Sequence, residues 1–459
     1  MTKILTINQI KDSENRYIKK HSYGKLINSA SKKIQEYIIN NLKDKNILFI
    51  CGPGNNGHDG RLASKLLKKK NSIFEIVKNN EIDFKNLDIL LRKADVVFDC
   101  IFGTGLSRKI EGAHKKLVEL INDSKKNIIS VDIPSGINGD SGEIMGQAIK
   151  ADLTLAMGFF KPAHFLLPGK EKVGKLILLN LKLVSSLKRT PEINLIQKSY
   201  FKDSLPEFSL SINKYNRGHV LVLGGEMSGA SRLVAYSARK SGCGLSTIMV
   251  DKKNLKYYLQ VDPGTIIKQF KNNYSFNEDV LVLGPGLGKK FSRRKIANFI
   301  NAFKGPIIID ADAISIFKDH RNSFYDLLKK KKNILLTPHD GEFKRIFGIS
   351  SKSKIINCLK ASNTVNNCIL YKGNDTVVSL PSNKVWLNKT KGNRLATAGT
   401  GDVLCGIIAG LVAQKVDFEK AILISLWIQN EISKKKEHVV VEDFISQIPL
   451  VMNSLKNNN

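Results

Sequence analysis

The sequence predicts an α/β protein built from two parallel-sheet domains. Strand-length apolar runs alternate with helix-length amphipathic segments through both halves, the pattern of parallel folds. Most of these runs end in a glycine-rich or polar turn, and the alternation fails once, between Leu181 and Tyr215. A chain of 459 residues exceeds one ordinary core, so that break divides it into residues 1–190, a linker over 191–214, and residues 215–459.

In the first half the expected strands are Ile47–Cys51, Ser72–Val77, Asp95–Cys100, Asn127–Asp132 and Leu153–Met157. The linker is read from the run at 183–191, which ends in Pro191, and from Pro206. A second series follows with His219–Leu223, Leu245–Val250, Val280–Leu283, Ile307–Asp310, Asn333–Thr337 and Cys368–Lys372, and it closes with helices from Ala398 onward.

Composition narrows the class. Hydrophobic residues at 42% and charged residues at 25% fit a globular chain rather than a disordered or collagen-like one. No uncharged apolar run approaches the about 18 residues of a membrane span. The polar start Met1–Lys20 is unlike a secretory leader, so a cytoplasmic location without membrane attachment is expected. Cys51, Cys100, Cys243, Cys358, Cys368 and Cys405 are scattered, with no Cys-x-x-Cys pair, which argues against disulfides and zinc. The 73 basic and 41 acidic residues give +32, but most cations are lysines spread along the whole chain. Without an arginine-rich arm or a basic and aromatic platform, no nucleic-acid partner is expected. Small anions would still be drawn in.

The turn after the first strand is Cys51-Gly52-Pro53-Gly54-Asn55-Asn56-Gly57-His58-Asp59-Gly60, with Glu75 at the end of the next strand. This matches the glycine fingerprint of dinucleotide dehydrogenases. The fingerprint does not account for Asn55, Asn56 and Asp59, polar side chains set into a turn that needs only backbone. Asp99-Cys100-Ile101-Phe102-Gly103-Thr104-Gly105-Leu106 and Asp132-Ile133-Pro134-Ser135-Gly136 close the third and fourth strands. Carboxyl ends of parallel strands share one edge, so these residues should converge on one crevice.

Together the three motifs resemble the YjeF N-terminal family, the NAD(P)H-hydrate epimerases, over roughly residues 1–180. The resemblance implies a Rossmann-like three-layer domain. It assigns the hydrated nucleotide to Asn55, Asn56, Gly57, His58, Asp59, Gly103, Thr104, Gly105, Leu106, Ser107, Arg108, Lys109 and Asp132, and a potassium ion to Asn56, Asp99 and Ser135. Asp132 is the expected acid or base. His58 stands where the family has glycine, and Leu26–Ser31 where it has Leu-Met-Glu-Asn-Ala-Gly.

The second half carries Gly224-Gly225-Glu226, Gly284-Pro285-Gly286-Leu287-Gly288, Thr337-Pro338-His339-Asp340-Gly341-Glu342, Lys372-Gly373-Asn374-Asp375-Thr376 and Gly399-Thr400-Gly401-Asp402. The last can form an amide nest at a helix N-terminus, where phosphate oxygens bind, with Asp402 beside them as a base. This set resembles the ribokinase-like superfamily and, within it, the NAD(P)H-hydrate dehydratases, from about Tyr215 onward, which implies a ribokinase-like three-layer domain. Asp340 replaces the usual proline. By resemblance Ala230, Gly286, His339 and Asp402 meet the hydrate. Lys372, Gly373, Asn374, Asp375, Thr376 and Gly401 meet ADP.

The function so implied is bifunctional repair of hydrated nicotinamide nucleotides, with epimerisation of R and S hydrates and ADP-dependent dehydration of the S form. K+ serves the first domain and Mg2+ the second. NADHX, NADPHX and ADP are the expected partners of a homo-oligomeric enzyme. The alternatives are a ribokinase-class small-molecule kinase fused to a ligand-binding module, and a basic RNA-associated scaffold.

Overall fold

A computed structural model describes residues 3–67, 71–76, 82–184, 191–207, 210–259, 262–271, 274–389, 397–435 and 440–456. The chain forms two compact units, the first from Lys3 to Ile193 and the second from Asn194 to Ser351 and from Ile355 onward.

Among the described residues the first unit has a sheet of six parallel strands, in the spatial order Asn71–Glu75, Ile47–Cys51, Val96–Cys100, Asn127–Val131, Leu153–Met157 and Lys175–Leu179. Ile47–Cys51, Val96–Cys100 and Leu153–Met157 are buried along their whole length, as central strands covered on both faces must be. One core layer gathers around Phe49 and Phe98 with helix Tyr23–Asn41, the other around Leu48 and Val97 with helices Phe84–Lys93 and Gly112–Asp123. The strand order reverses beside Ile47–Cys51, which opens a crevice at the strands' carboxyl ends.

The second unit repeats the plan at larger scale. Ile266–Gln269, Leu245–Val250, His219–Leu223, Val280–Leu283, Ile307–Ile309, Ile334–Leu336 and Cys368–Tyr371 are neighbours and parallel. Val377–Ser379 and Lys384–Leu387 extend the sheet antiparallel. Helix Thr400–Ala413 is buried from Val403 to its end. It packs on helix Ser228–Lys240 without a gap, since a Cβ at Gly406 would lie 1.9 Å from Ser237 Oγ and one at Gly410 2.1 Å from Ser241 Oγ.

Several expectations need correction. Asp132, Asp310, Thr337 and Lys372 lie one residue beyond the ladders expected to contain them. Val77, expected to end a strand, lies outside the described residues. Residues 191–214, read as a linker, carry the strand Glu192–Leu195 and bury Phe201 and Leu205 in the second core. The prolines there do interrupt the α/β alternation, but apolar side chains between them still find a core. All six cysteines are buried thiols outside any disulfide. No helix among the described residues is long and apolar enough to cross a membrane.

Candidate active sites

A cavity of about 680 Å³ opens at the crevice of the first unit. Its wall includes Asn55, Asn56 and Asp59 from the start of helix Asn55–Leu66, Gly103, Thr104, Gly105, Leu106, Ser107 and Arg108 from the turn after Val96–Cys100, and Asp132. Gly57 belongs to the scaffold: a Cβ there would stand 1.8 Å from the Gly52 carbonyl oxygen, so only glycine lets the helix start against the strand. His58 is exposed and Lys109 is exposed, both off the cavity wall.

Asp132 has φ of 69°, a left-handed conformation costly for a non-glycine residue. Its N–H donates to Leu155 O at 2.8 Å, and its carbonyl meets His164 Nε2 at 3.0 Å. Burial holds the imidazole at a pKa of about 3, hence neutral. Lys161 N–H donates to Nδ1 at 3.2 Å, so the ring proton sits on Nε2 and points at Asp132. The ammonium of Lys161, only 1% exposed, pairs with Asp132 Oδ1 and donates to Met157 O at 3.0 Å.

Asp59 differs from its neighbour. Burial first, then the charges of Asp132 and Glu14, push its carboxyl well above the usual range, and its Oδ1 is buried with no hydrogen-bond partner. One cavity therefore holds an ion-paired aspartate and a second whose carboxyl is pushed toward its neutral form by burial, an arrangement in which two similar groups can serve as base and acid. Lys161, His164 and Glu14 escaped the sequence reading. For Lys161 and His164 a signal existed, a lysine and a histidine inside the apolar run just after Leu153–Met157. Glu14 has none, because its helix is distant in sequence.

Asp99 is fully buried. Ser130 Oγ donates to it at 2.7 Å, Ser135 N at 2.9 Å, Ser135 Oγ at 2.5 Å and Ile101 N at 3.2 Å. Burial raises its pKa against the pull of these donors. Asn56 is buried with neither end of its amide partnered. Asn56, Asp99 and Ser135 offer an amide, a carboxylate and a hydroxyl, oxygen donors of the kind that suit a hard cation.

In the second unit, Gly224–Glu226, Gly284–Gly288, Asp310, Thr337 and Lys372 follow the carboxyl ends of adjacent strands. Gly286 has φ of 69°, and a Cβ there would lie 2.2 Å from Met227 O and 3.1 Å from Ala230 Cβ, which places Ala230 and Gly286 side by side. Gly399, with φ of 88°, opens helix Thr400–Ala413 with no side-chain cap. A helix start of this kind is where anions commonly bind. A Cβ at Gly401 would be 3.5 Å from Lys372 Nζ and 3.9 Å from Asp310 Oδ2.

Asp310 organises this centre. Its Oδ1 accepts from Lys372 Nζ at 2.6 Å and Thr337 Oγ1 at 2.7 Å. Burial would lower the Lys372 pKa, but Asp310 and the other anionic neighbours outweigh it and hold the ammonium above the ordinary range. Asp402 is pushed up to about 6 by burial and the Asp310 charge, against the pull of Lys372. A carboxylate with that pKa is a usable base near neutrality.

Lys372, assigned by resemblance to ADP, thus has its ammonium on Asp310, while Asp375 and Thr376 are buried and Gly373 and Asn374 exposed. His339 caps helix Asp340–Phe347 through Nδ1, and its Nε2 lies 3.4 Å from Glu342 Oε1, with the side chain 55% exposed. Asp310 was missed as a site residue, although an aspartate closing a parallel strand is the signal that picked out Asp99 and Asp132.

A cavity at the strand ends of one parallel sheet and a cluster of polar groups at the strand ends of another define an α/β enzyme with two candidate active sites. The family model described as NAD(P)H-hydrate dehydratase matches residues 220–444, and that described as YjeF-related protein N-terminus matches residues 74–163. The Dictyoglomus turgidum protein called bifunctional NAD(P)H-hydrate repair enzyme Nnr is 30% identical over 99% of this chain and 99% of its own. The Vibrio cholerae protein of that name is 31% identical over 73% of this chain and 69% of its own. A ribokinase-like superfamily protein from Enterococcus faecalis, 22% identical with a TM-score of 0.50, covers 59% of this chain and 99% of its own, a likeness of fold. The chain belongs to the family of bifunctional NAD(P)H-hydrate repair enzymes, isomerase and lyase in one polypeptide.

Proposed function

We propose that the first unit interconverts the R and S hydrates of NADH and NADPH, and that the second dehydrates the S hydrate with ADP, releasing AMP and phosphate. The reading rests chiefly on Asp402, a carboxyl with a pKa of about 6 beside an uncapped helix N-terminus and the Asp310–Lys372 pair.

Hydroxide leaves a reduced pyridine ring poorly, whereas phosphate leaves well. Asp402 takes the proton of the hydrate hydroxyl, whose oxygen attacks the terminal phosphorus of ADP as AMP departs. The amides at Gly399–Gly401 meet the charge that develops on the transferring group. The ring nitrogen lone pair then expels phosphate, and loss of a proton from the neighbouring carbon restores the double bond. Base help of this kind contributes about 10²- to 10⁴-fold. Ala230, Gly286 and His339 border the hydrate, and Lys372–Thr376 with Gly401 border the nucleotide. Asp310 is the carboxylate that would help hold Mg2+ together with the donor phosphates, and the ion would neutralise their charge. Among the described residues no group of three His, Cys, Asp or Glu side chains offers it a cage.

In the first unit Asp132 moves the proton at the ring, Lys161 holds its charge and position, and Asp59 is the complementary acid. Asn55, Asn56, Asp59 and Gly103–Arg108 contact the substrate, with Gly57, His58 and Lys109 at the margin. K+ would be held by Asn56, whose amide oxygen is unpartnered, with Asp99 and Ser135, and would offset substrate phosphate charge. The proposed setting is a cytoplasmic homo-oligomer acting on NADHX and NADPHX.

Mixed R and S hydrates incubated with the protein and labelled ADP or ATP test this reading. Recovery of the reduced-nicotinamide absorbance should be complete and matched by donor cleavage. Recovery with the donor intact would overturn it.

A further inference from the structure

The second unit has another cavity, of about 570 Å³, on the edge of the sheet opposite Asp402. Arg217 and Gly244 on its wall precede the strands His219–Leu223 and Leu245–Val250, whereas the motifs of the proposed dehydratase site follow the strands. A strand length, roughly 17 Å, separates the two edges. No residue assigned to either reaction lines this cavity.

Its charge is one-sided. Lys214, Arg217, Arg239 and Lys240 face a single lining carboxylate, Asp262. Asp262 is engaged by Arg239, and the Arg217 Nε–H donates to Gly242 O at 3.0 Å. Lys240 Nζ lies 5.2 Å from the centroid of the Tyr236 ring, which forms one wall. The floor is tightly built. A Cβ at Gly244 would lie 1.8 Å from Lys214 O, so glycine there admits the segment that carries Lys214.

The volume falls in the range of small-molecule sites, roughly 300–1,000 Å³, and far exceeds the need of an inorganic phosphate. An aromatic wall beside a set of cations suits a planar ring joined to a polyanion. We propose that this cavity is a binding site for a nucleotide polyphosphate, separate from the donor site, with the base against Tyr236 and the phosphates on Lys214, Arg217 and Lys240.

Calorimetric titration of the full chain with ATP at fixed ionic strength tests the assignment. The wild-type protein should take up one more molar equivalent than the K214A/K240A variant, or bind that equivalent at least tenfold more tightly. Circular dichroism should be unchanged, and the variant's KM for ADP in dehydration should stay within twofold. Adenosine, which has the ring without phosphates, should not compete for the extra equivalent. Equal uptake and affinity in both proteins would overturn the proposal. So would a variant whose mass by light scattering changes while its ATP uptake does not, because the basic patch would then be a contact between copies.

Discussion

Replacing Asp402 by asparagine should stabilise the second unit while disabling it. Burial and the Asp310 charge raise the Asp402 carboxyl from 3.8 to about 6. The folded unit therefore keeps a proton up to about pH 6 that the unfolded chain releases near pH 4. Wild-type stability contributed by this group is fully present below the unfolded pKa and is lost as pH rises through the folded one. About two pKa units at 1.36 kcal/mol each set an upper figure of about 3 kcal/mol, reduced by the partial access of water to the side chain. Asparagine does not titrate, so the variant should gain about 1–3 kcal/mol over wild type at pH 7.5 and about a third of that gain at pH 4.5. Both tryptophans, Trp386 and Trp427, lie in the second unit, so their fluorescence during urea unfolding of the nucleotide-free protein with chelator reports that unit. Equal stability at pH 7.5, or a gain independent of pH, would refute the reasoning. The same variant should lose dehydration by about 10²-fold or more and keep R-to-S interconversion.

Other expectations are as direct. Dehydration should show an acid limb near pH 6, the rate at pH 5 standing at about a tenth of the plateau, since Asp402 must be ionised to accept a proton; a flat profile down to pH 5 would remove it as the base. Asp132→Asn should cut epimerisation by about 10²-fold or more and spare dehydration, read by chromatography of the two hydrates. Exchange of K+ for Na+ should slow epimerisation in wild type, and Asn56→Ala should erase the difference between the ions. Gly57→Ala should destabilise the first unit by about 3 kcal/mol or more, because its Cβ would meet the Gly52 carbonyl at 1.8 Å. Gly54→Ala, with nothing within 4 Å, should unfold in urea close to wild type.

The parallel strands were legible because central strands buried on both faces must be continuous apolar runs, as in Ile47–Cys51 and Val280–Leu283. Short edge and antiparallel strands were not. Lys175–Leu179, buried only at Leu179, and the three residues Val377–Ser379 carry too little pattern to stand out. The site motifs were legible where chemistry needs unusual residues at strand ends, as at Asn56, Asp132 and Asp402. Partners that reach these groups from elsewhere were harder to see. Lys161 meets Asp132 from 29 residues away, Lys372 meets Asp310 from 62, and Glu14 acts on Asp59 from another helix. Such pairings are set by tertiary packing, which local spacing does not encode.

The absence of side chains at Gly406 and Gly410 lets two helices touch backbone to backbone, one of them bearing Asp402 near its start. Beside the two serine hydroxyls stand the Val234 and Ala238 carbonyls, 2.3 and 2.5 Å from the same Cβ positions, and a main-chain oxygen has no rotamer to adjust. The location of the base is therefore inherited from main-chain geometry, and even alanine at either glycine would shift it while every named catalytic residue remained in the sequence. Mutational drift that spares the recognisable motifs can still silence the enzyme one or two helical turns downstream of its carboxylate.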